Sequence, residues 1–365
     1  MNILFLSTIF KSSEISNRLA VSPAANKWQD SLINALSELT PQLKAYGHLP
    51  EPIWPKGQIF PKLDSKVNSL NRTCCLSYLN VPFLKGLTLK IAYKKFLKKH
   101  FQDSKSDFAI ITYNPPSWLQ DLLIKYTSSD KFTWVSIVAD GDAPSKADGL
   151  VFLSYGYYKS HPMMVAKKMH LDGAPYQKLI SVDAQNKAPR TVLMYSGTSS
   201  KWGGVGYLLE AYVKVCQHVE VELWISGAGD YSQFSKQYSH EPSIKFLGML
   251  SEIELEDRYK QADIFINPRP ELYDNDKNFP SKLFDYLSYG KPVISFKTSG
   301  LSPQYEDLLT FPVENSIDAL ANSIKEVVNW TDHDRQFYAS KLTHYASTVT
   351  WDLQAKRFFE FVNSL

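Results

Sequence analysis

The chain predicts an α/β protein of two Rossmann-like, doubly wound domains. Short continuous apolar runs recur along its 365 residues, and amphipathic helical stretches fall between them. The length also exceeds what one hydrophobic core usually organises. Strands that are apolar on both faces and separated by helices belong in parallel sheets covered on both sides.

The first run is NILFLST (2–8), followed by DFAIITY (107–113), FTWVSIVA (132–139) and LVFLSY (150–155). Between residues 41 and 82 the pattern fades into proline-rich, irregular sequence, and no strands are assigned there. The segment 170–190 is polar and broken by proline and glycine, which predicts a junction between domains 1–180 and 181–349. Beyond it come TVLMYSG (191–197), VELWISG (221–227), IKFLGM (244–249), DIFINP (263–268), PVISF (292–296) and LTFPV (309–313). Ser251 opens a helix with a capping box, and Ile317, Leu320, Ile324 and Val328 share one helical face. The final stretch, 350–365, reads as an amphipathic helix returning to the first domain.

Hydrophobic content of 44%, charged content of 21% and a net charge of +3 are ordinary for a globular protein and give no argument for nucleic acid. Three cysteines, two of them adjacent, offer neither a disulfide framework nor metal spacing, which suits a reducing compartment. No apolar run reaches the ~18 residues of a membrane span. The start, MNILFLSTIF, lacks a basic leader and reads as a strand, so a cytoplasmic location is expected. In LTLKIAYKKFLKKHF (87–101), Leu89, Ala92, Tyr93, Phe96, Leu97 and Phe101 form one face and five lysines crowd the other. Such a helix either touches an anionic membrane surface or covers a core with a solvated charged face.

Doubly wound sheets bind ligands outside the carboxyl ends of their strands. YSGTSSKWGGVGYLLEAY (195–212) ends a strand at Gly197, passes Gly203 and Gly204, and starts a helix near Val205. Glycine admits a ligand to the backbone and a helix start offers N–H groups to an anion, although a plain βα turn needs glycine as often. ISGAGDYSQF (225–234) repeats the arrangement with Gly227 and Gly229. In NPRPELYDNDKNFPSKLFDYLSYGKPVISF (267–296) a helix opens at Ser281, and Ser281, Lys282 and Asp285 share a face. A first-turn lysine opposes the helix dipole, at ~0.3–1 kcal/mol, unless an anion sits there. With Arg269 nearby, a nucleotide is expected, its diphosphate at Lys282 and its ribose at Asp285. A solvated Lys–Asp pair is the plain alternative. In the first half, Asn114 could bond a sugar hydroxyl or simply make an Asn-Pro turn. Asp140 and Asp142 are candidates for a general base, with turn chemistry as the alternative.

The stretch FPSKLFDYLSYGKPVISF, with the glycine loop upstream, resembles the donor-binding domain of the retaining GT-B glycosyltransferases, in the large family that includes mannosyl- and glucosyltransferases of bacterial surface polysaccharides. The resemblance runs over about residues 191–313 and includes a variant branch with an FPSK-type motif. It implies two domains facing across a cleft, a UDP-sugar donor, a glycan or lipid-linked acceptor, retention, and no required metal or cofactor. It further implies that Gly197, Thr198 and Gly203 lie along the diphosphate and that Asp285 holds the ribose. The chain departs from the pattern in several places. The usual Glu eight positions before the ribose-binding acid is Lys277, with Glu271, Asp274 and Asp276 nearby as substitutes. The loop's usual Arg and Lys are Thr198 and Gly203, leaving Lys201, Arg269 and Lys282 to supply positive charge. A sugar-nucleotide epimerase and a non-catalytic partner subunit are the rival readings.

Overall fold

The computed structural model describes residues 2–7, 22–61, 73–103, 108–127, 132–162, 166–176, 190–272 and 277–365. The chain forms two compact units. One comprises Met1–Leu153, Tyr158–Asp172 and Trp351–Leu365, and the other Ser154–Tyr157 and Gly173–Thr350. The predicted boundary at 180 falls in 177–189, outside the described residues.

The first unit holds a seven-stranded parallel sheet in the order β3-β2-β1-β4-β5-β6-β7. The strands are β1 (Asn2–Leu6), β2 (Lys44–Gly47), β3 (Thr73–Cys75), β4 (Phe108–Tyr113), β5 (Thr133–Val138), β6 (Gly149–Phe152) and β7 (Lys167–His170). The long apolar runs make the buried centre, where Phe5, Ile110, Ile111, Val135 and Val151 have no exposed surface. Strands β2, β3 and β7 escape sequence reading because they have three or four residues and no continuous apolar run. Helix Pro23–Leu39 begins at Ser22, whose hydroxyl accepts from the Ala25 N–H. From it Trp28 reaches inward, donating its indole N–H to the Asp172 carbonyl at 2.8 Å and meeting the Trp351 ring edge-on. Helix Trp351–Asn363 thereby closes the first unit.

Helix Lys85–Asp103 belongs to the same unit. Of the two readings of its apolar stripe, the core one fits: Leu89, Tyr93 and Leu97 are buried, and the Phe96 ring packs 4.3 Å from that of Tyr46. The apolar face is therefore already covered by the protein itself.

The second unit holds a five-stranded parallel sheet in the order β10-β9-β8-β11-β12. Its strands are β8 (Thr191–Ser196), β9 (Val221–Ser226), β10 (Ile244–Gly248), β11 (Ile264–Asn267) and β12 (Val293–Ser295). The run at 309–313 contributes only a single bridge, Thr310 to Ile294. Helices Val205–Cys216 and Ile317–Val328 bury Leu208, Leu209, Tyr212, Leu320 and Ile324 in one cluster with Leu223, Ile225 and Ile266 from the sheet. The capping box at Ser251 is formed with Glu254.

Candidate functional site

In the second sheet the strand order reverses between β8 and β11, so a crevice opens outside the carboxyl ends of those strands. A cavity of about 370 Å³ occupies it. The loop after β8 lines it with Gly197, Thr198, Ser200, Trp202 and Gly203, joined by Arg269 beyond β11 and by Asn278 and Lys282. Two of these lining residues are cations and none is acidic.

Close backbone approaches shape the loop. Gly204 has φ 76°, and a Cβ there would fall 1.8 Å from the Pro268 carbonyl oxygen. Gly227 has φ 132°, and its Cβ would lie 1.7 Å from the Gly197 oxygen. The second glycine turn thus braces the first. Ser199 N–H bonds the Ala228 carbonyl at 3.0 Å, Tyr231 donates to the Gly197 carbonyl at 3.1 Å, and a Cβ on Gly229 would meet the Ser199 hydroxyl at 2.1 Å. Gly227 and Gly229 were expected to face a ligand, but neither lines the cavity.

Tyr195 is fully buried beneath the loop, behind Gly197 and Gly203. Its hydroxyl donates to the Thr198 carbonyl at 2.9 Å, with the Gly203 carbonyl at 3.3 Å, and Lys282 Nζ sits 4.3 Å from its ring centre. Burial, followed by the Arg269 charge, pushes the Lys282 ammonium down to about 7. Desolvation of the charged form and a like charge both disfavour protonation. Lys201 stays outside this arrangement. It is exposed, its Nζ lies 4.5 Å from the Trp202 ring, and it is not among the lining residues.

The helix carrying Lys282 spans only Lys282–Tyr286 before a 3₁₀ turn at Leu287–Tyr289 and Gly290 at φ 65°. Five residues align few peptide dipoles, so positive charge at the cavity comes from side chains more than from a helix end. Ser281 is the helical N-cap residue without a side-chain cap bond and does not line the cavity. Asp285 also lies outside the lining; burial raises the Tyr259, Tyr286 and Tyr289 phenols, and the Asp285 charge adds to it. Behind it, the Tyr286 hydroxyl accepts from the Ser196 N–H at 2.9 Å, holding the end of β8.

Glu271 accepts from the Ser299 N–H at 3.0 Å and the Ser299 hydroxyl at 2.7 Å and does not line the cavity. Asp274 and Asp276 lie outside the described residues, and Lys277 Nζ sits 5.1 Å from the Tyr157 ring centre. Among the described residues no three His, Cys, Asp or Glu side chains gather as a metal site, and no helix is long and apolar enough to cross a membrane.

The first unit has its own reversal, between β1 and β4, and a cavity of about 250 Å³ there. Ser7 and Asn114 line it just past the two strands, with Gln29, His48, Tyr93 and Trp118. Asn114 adopts φ 41°, accepts from the Ala139 N–H at 2.8 Å and donates to the Asp140 carboxylate. Asn114 and Asp140 are therefore brought together, although Asp140 is exposed and outside the lining. Burial, then the Lys85 charge, pushes His48 down to about 4, so its ring is neutral at pH 7. Sequence reading passed over Tyr195, Trp202, Asn278, Gln29 and His48. Asn278 stood inside the quoted stretch 267–296, and Gln29 is a buried polar residue amid a helix's apolar face.

Residues 190–329 match the family described as Glycosyl transferases group 1. Solved structures resemble the whole chain. Sucrose-phosphate synthase from Thermosynechococcus elongatus is 14% identical, with a TM-score of 0.72 over 100% of this chain and 99% of that one. A glycosyltransferase from Rickettsia africae ESF-5 is 14% identical, with a TM-score of 0.68 over 100% and 98%. The lipopolysaccharide outer core galactosyltransferase WaaB, also 14% identical, gives 0.65 over 100% and 99%. No curated protein sequence matches the chain. These likenesses establish the fold as GT-B, two parallel-sheet α/β domains, and the family match spans β8 to β12 and helix Ile317–Val328.

Proposed function

We propose that this protein is a glycosyltransferase taking a sugar from a nucleotide diphosphate sugar, a UDP-sugar in the first instance. The observation that carries this reading is the cavity at the β8–β11 reversal, where Lys282 and Arg269 face glycine-rich backbone with no acid in the lining. A diphosphate is complementary in charge to both cations. As the glycosidic bond breaks, negative charge grows on the departing diphosphate, and two fixed cations stabilise it more in the transition state than in the ground state. That arrangement supports departure without a metal, and activity in the presence of a chelator tests it. Retention of configuration rests on the resemblance of 267–296 to the retaining enzymes.

The acceptor belongs in the first unit's cavity in this reading. Its amides, phenols and neutral His48 suit a hydroxyl-rich, uncharged group such as a glycan end or the sugar of a lipid-linked acceptor, with Asn114 as a hydrogen-bonding contact. A panel of nucleotide sugars in thermal-shift measurements tests the donor assignment. A true donor at 100 times its dissociation constant adds about 2.7 kcal/mol to stability. Absence of any shift with every nucleotide sugar, and with UDP, refutes the assignment.

Lys277 favours a second reading, since a cation over the Tyr157 ring stands where the resemblance calls for a carboxylate. A donor-binding partner subunit without turnover would still show the thermal shift. It would release no sugar with any acceptor, which separates the two readings.

A further inference from the structure

Lys282 differs from the other buried lysines in what its nitrogen touches. Among the described residues its Nζ has no hydrogen-bond or ion-pair partner, and it sits 4.3 Å from the centre of the Tyr195 ring. It lies against Gly197, where an added Cβ would stand 2.7 Å from the nitrogen, and it lines the cavity of about 370 Å³. Arg269 lines the same cavity and no carboxylate does.

Lys85 and Lys291 are also held below the ordinary lysine range by burial, Lys291 at about 8. Both are tied down. Lys85 donates to the Glu51 carbonyl at 2.6 Å, and Lys291 donates to the carbonyls of Tyr259, Lys260 and Ala262. Carbonyls that accept from an ammonium keep it protonated and leave its nitrogen no room for a new bond. Lys282 has the opposite setting: no acceptor, an open cavity in front, and a second cation acting on it. A desolvated lysine beside another cation is an activated nucleophile.

The electrophile that gains most here is one that turns the amine into an anion, because the Arg269 guanidinium then meets negative charge instead of positive. Carbon dioxide does this. The nitrogen lone pair attacks the carbon, a C–N bond forms as one C=O π pair moves to oxygen, and the nitrogen gives one proton to solvent. The product is N-carboxylysine, a carbamate, and nothing is oxidised or reduced.

We propose that Lys282 is a carbon dioxide site, carried as a reversible carbamate facing Arg269 while the cavity holds no nucleotide. The modification does not depend on the donor assignment, but its consequence rests on that reading. A carbamate and a diphosphate cannot share Lys282, so carbon dioxide competes with the nucleotide sugar and raises its apparent dissociation constant.

The test equilibrates the full chain, without nucleotide, with isotopically labelled bicarbonate near neutral pH. A carbamate carbon resonance, distinct from bicarbonate and dissolved carbon dioxide, is expected by NMR. Trapping with triethyloxonium followed by peptide mass spectrometry should place the adduct on Lys282 and leave Lys85 and Lys291 unmodified. Lys282→Met should abolish both signals while melting no lower than the parent, which shows that it folds. Arg269→Gln should lower occupancy about tenfold, the worth of a charge-assisted bond. A parent with no resonance, an adduct on Lys291 or spread over exposed lysines, or a signal retained by Lys282→Met overturns the inference. UDP added last separates the two readings. A carbamate in a protein that UDP does not stabilise upholds the modification and sinks the donor assignment, whereas stabilisation by UDP with no prior carbamate does the reverse.

Discussion

Donor affinity should weaken as the solution becomes alkaline, and Lys282 is the reason. Its ammonium is pushed down to about 7, whereas an ordinary lysine titrates at 10.5. A bound diphosphate would supply the opposite charge that Arg269 denies it and draw the value back up. Binding then takes up a proton above pH 7, and affinity falls by up to tenfold for each pH unit in that range. If the bound lysine returns fully to its ordinary value, the dissociation constant rises roughly a hundredfold between about pH 6 and about pH 9. Its cavity neighbours do not blur the reading. Arg269 remains charged throughout, and the buried Tyr195 phenol is held well above its usual range. The phosphates of a nucleotide sugar do not titrate in this window either, because each is a diester. Calorimetry in buffers of different ionisation enthalpy measures both the affinity and the proton uptake. A flat affinity with no proton exchange would refute the placement of the diphosphate on Lys282.

Replacing Lys282 with Met should weaken donor binding about tenfold or more, the worth of a charge-assisted bond, and abolish the pH slope. The same variant should melt higher. A lysine whose folded value lies below its unfolded one costs stability while charged, fully below pH 7 and progressively less toward 10.5, so the gain is largest in neutral and acidic solution. Gly227→Ala places a methyl against the Gly197 oxygen at a left-handed φ, and should cost about 1–3 kcal/mol in denaturant unfolding and loosen donor binding. Tyr286→Phe strips the acceptor from the buried Ser196 N–H and should cost about 1–3 kcal/mol with the donor site otherwise intact. Glu271→Gln should lower the melting temperature without changing donor affinity if the carboxylate serves Ser299 alone, as its two hydrogen bonds indicate; a loss of turnover at constant stability would give it a catalytic part.

The fold was legible wherever burial forces composition. Strands β1, β4, β5, β6 and β8 to β12 announced themselves as apolar runs because parallel strands covered on both faces have no polar side to show. Strand β2, KAYG, and strand β7, KKMH, carry lysines where the sheet meets solvent, so composition alone gave no signal for them. Helix Lys85–Asp103 was legible as amphipathic but not as to what its apolar face meets. Periodicity reports that a stripe must be covered, and here Tyr46 and the first unit's core cover it.

At the site, Lys282 lines the cavity, but a helix dipole accounts for little of its unfavourable setting. A lysine at a helix start is unfavourable beside a positive dipole end, and that cost pointed to a missing anion. The helix proves to be five residues long, so the dipole is small, and the larger penalty on Lys282 comes from burial and from Arg269. Neither could be read from residues 281–285 alone, because Arg269 is thirteen positions upstream and the Tyr195 ring beneath the ammonium comes from another strand. The glycines follow the same logic. Composition shows that a backbone must come close to something, but not whether that something is a ligand or another loop. Gly227 and Gly229 meet the loop of Gly197 and Ser199, and by stiffening it they fix the wall opposite the two cations. The proposed binding of a diphosphate without rearrangement would need that second layer, and the two glycine turns supply it.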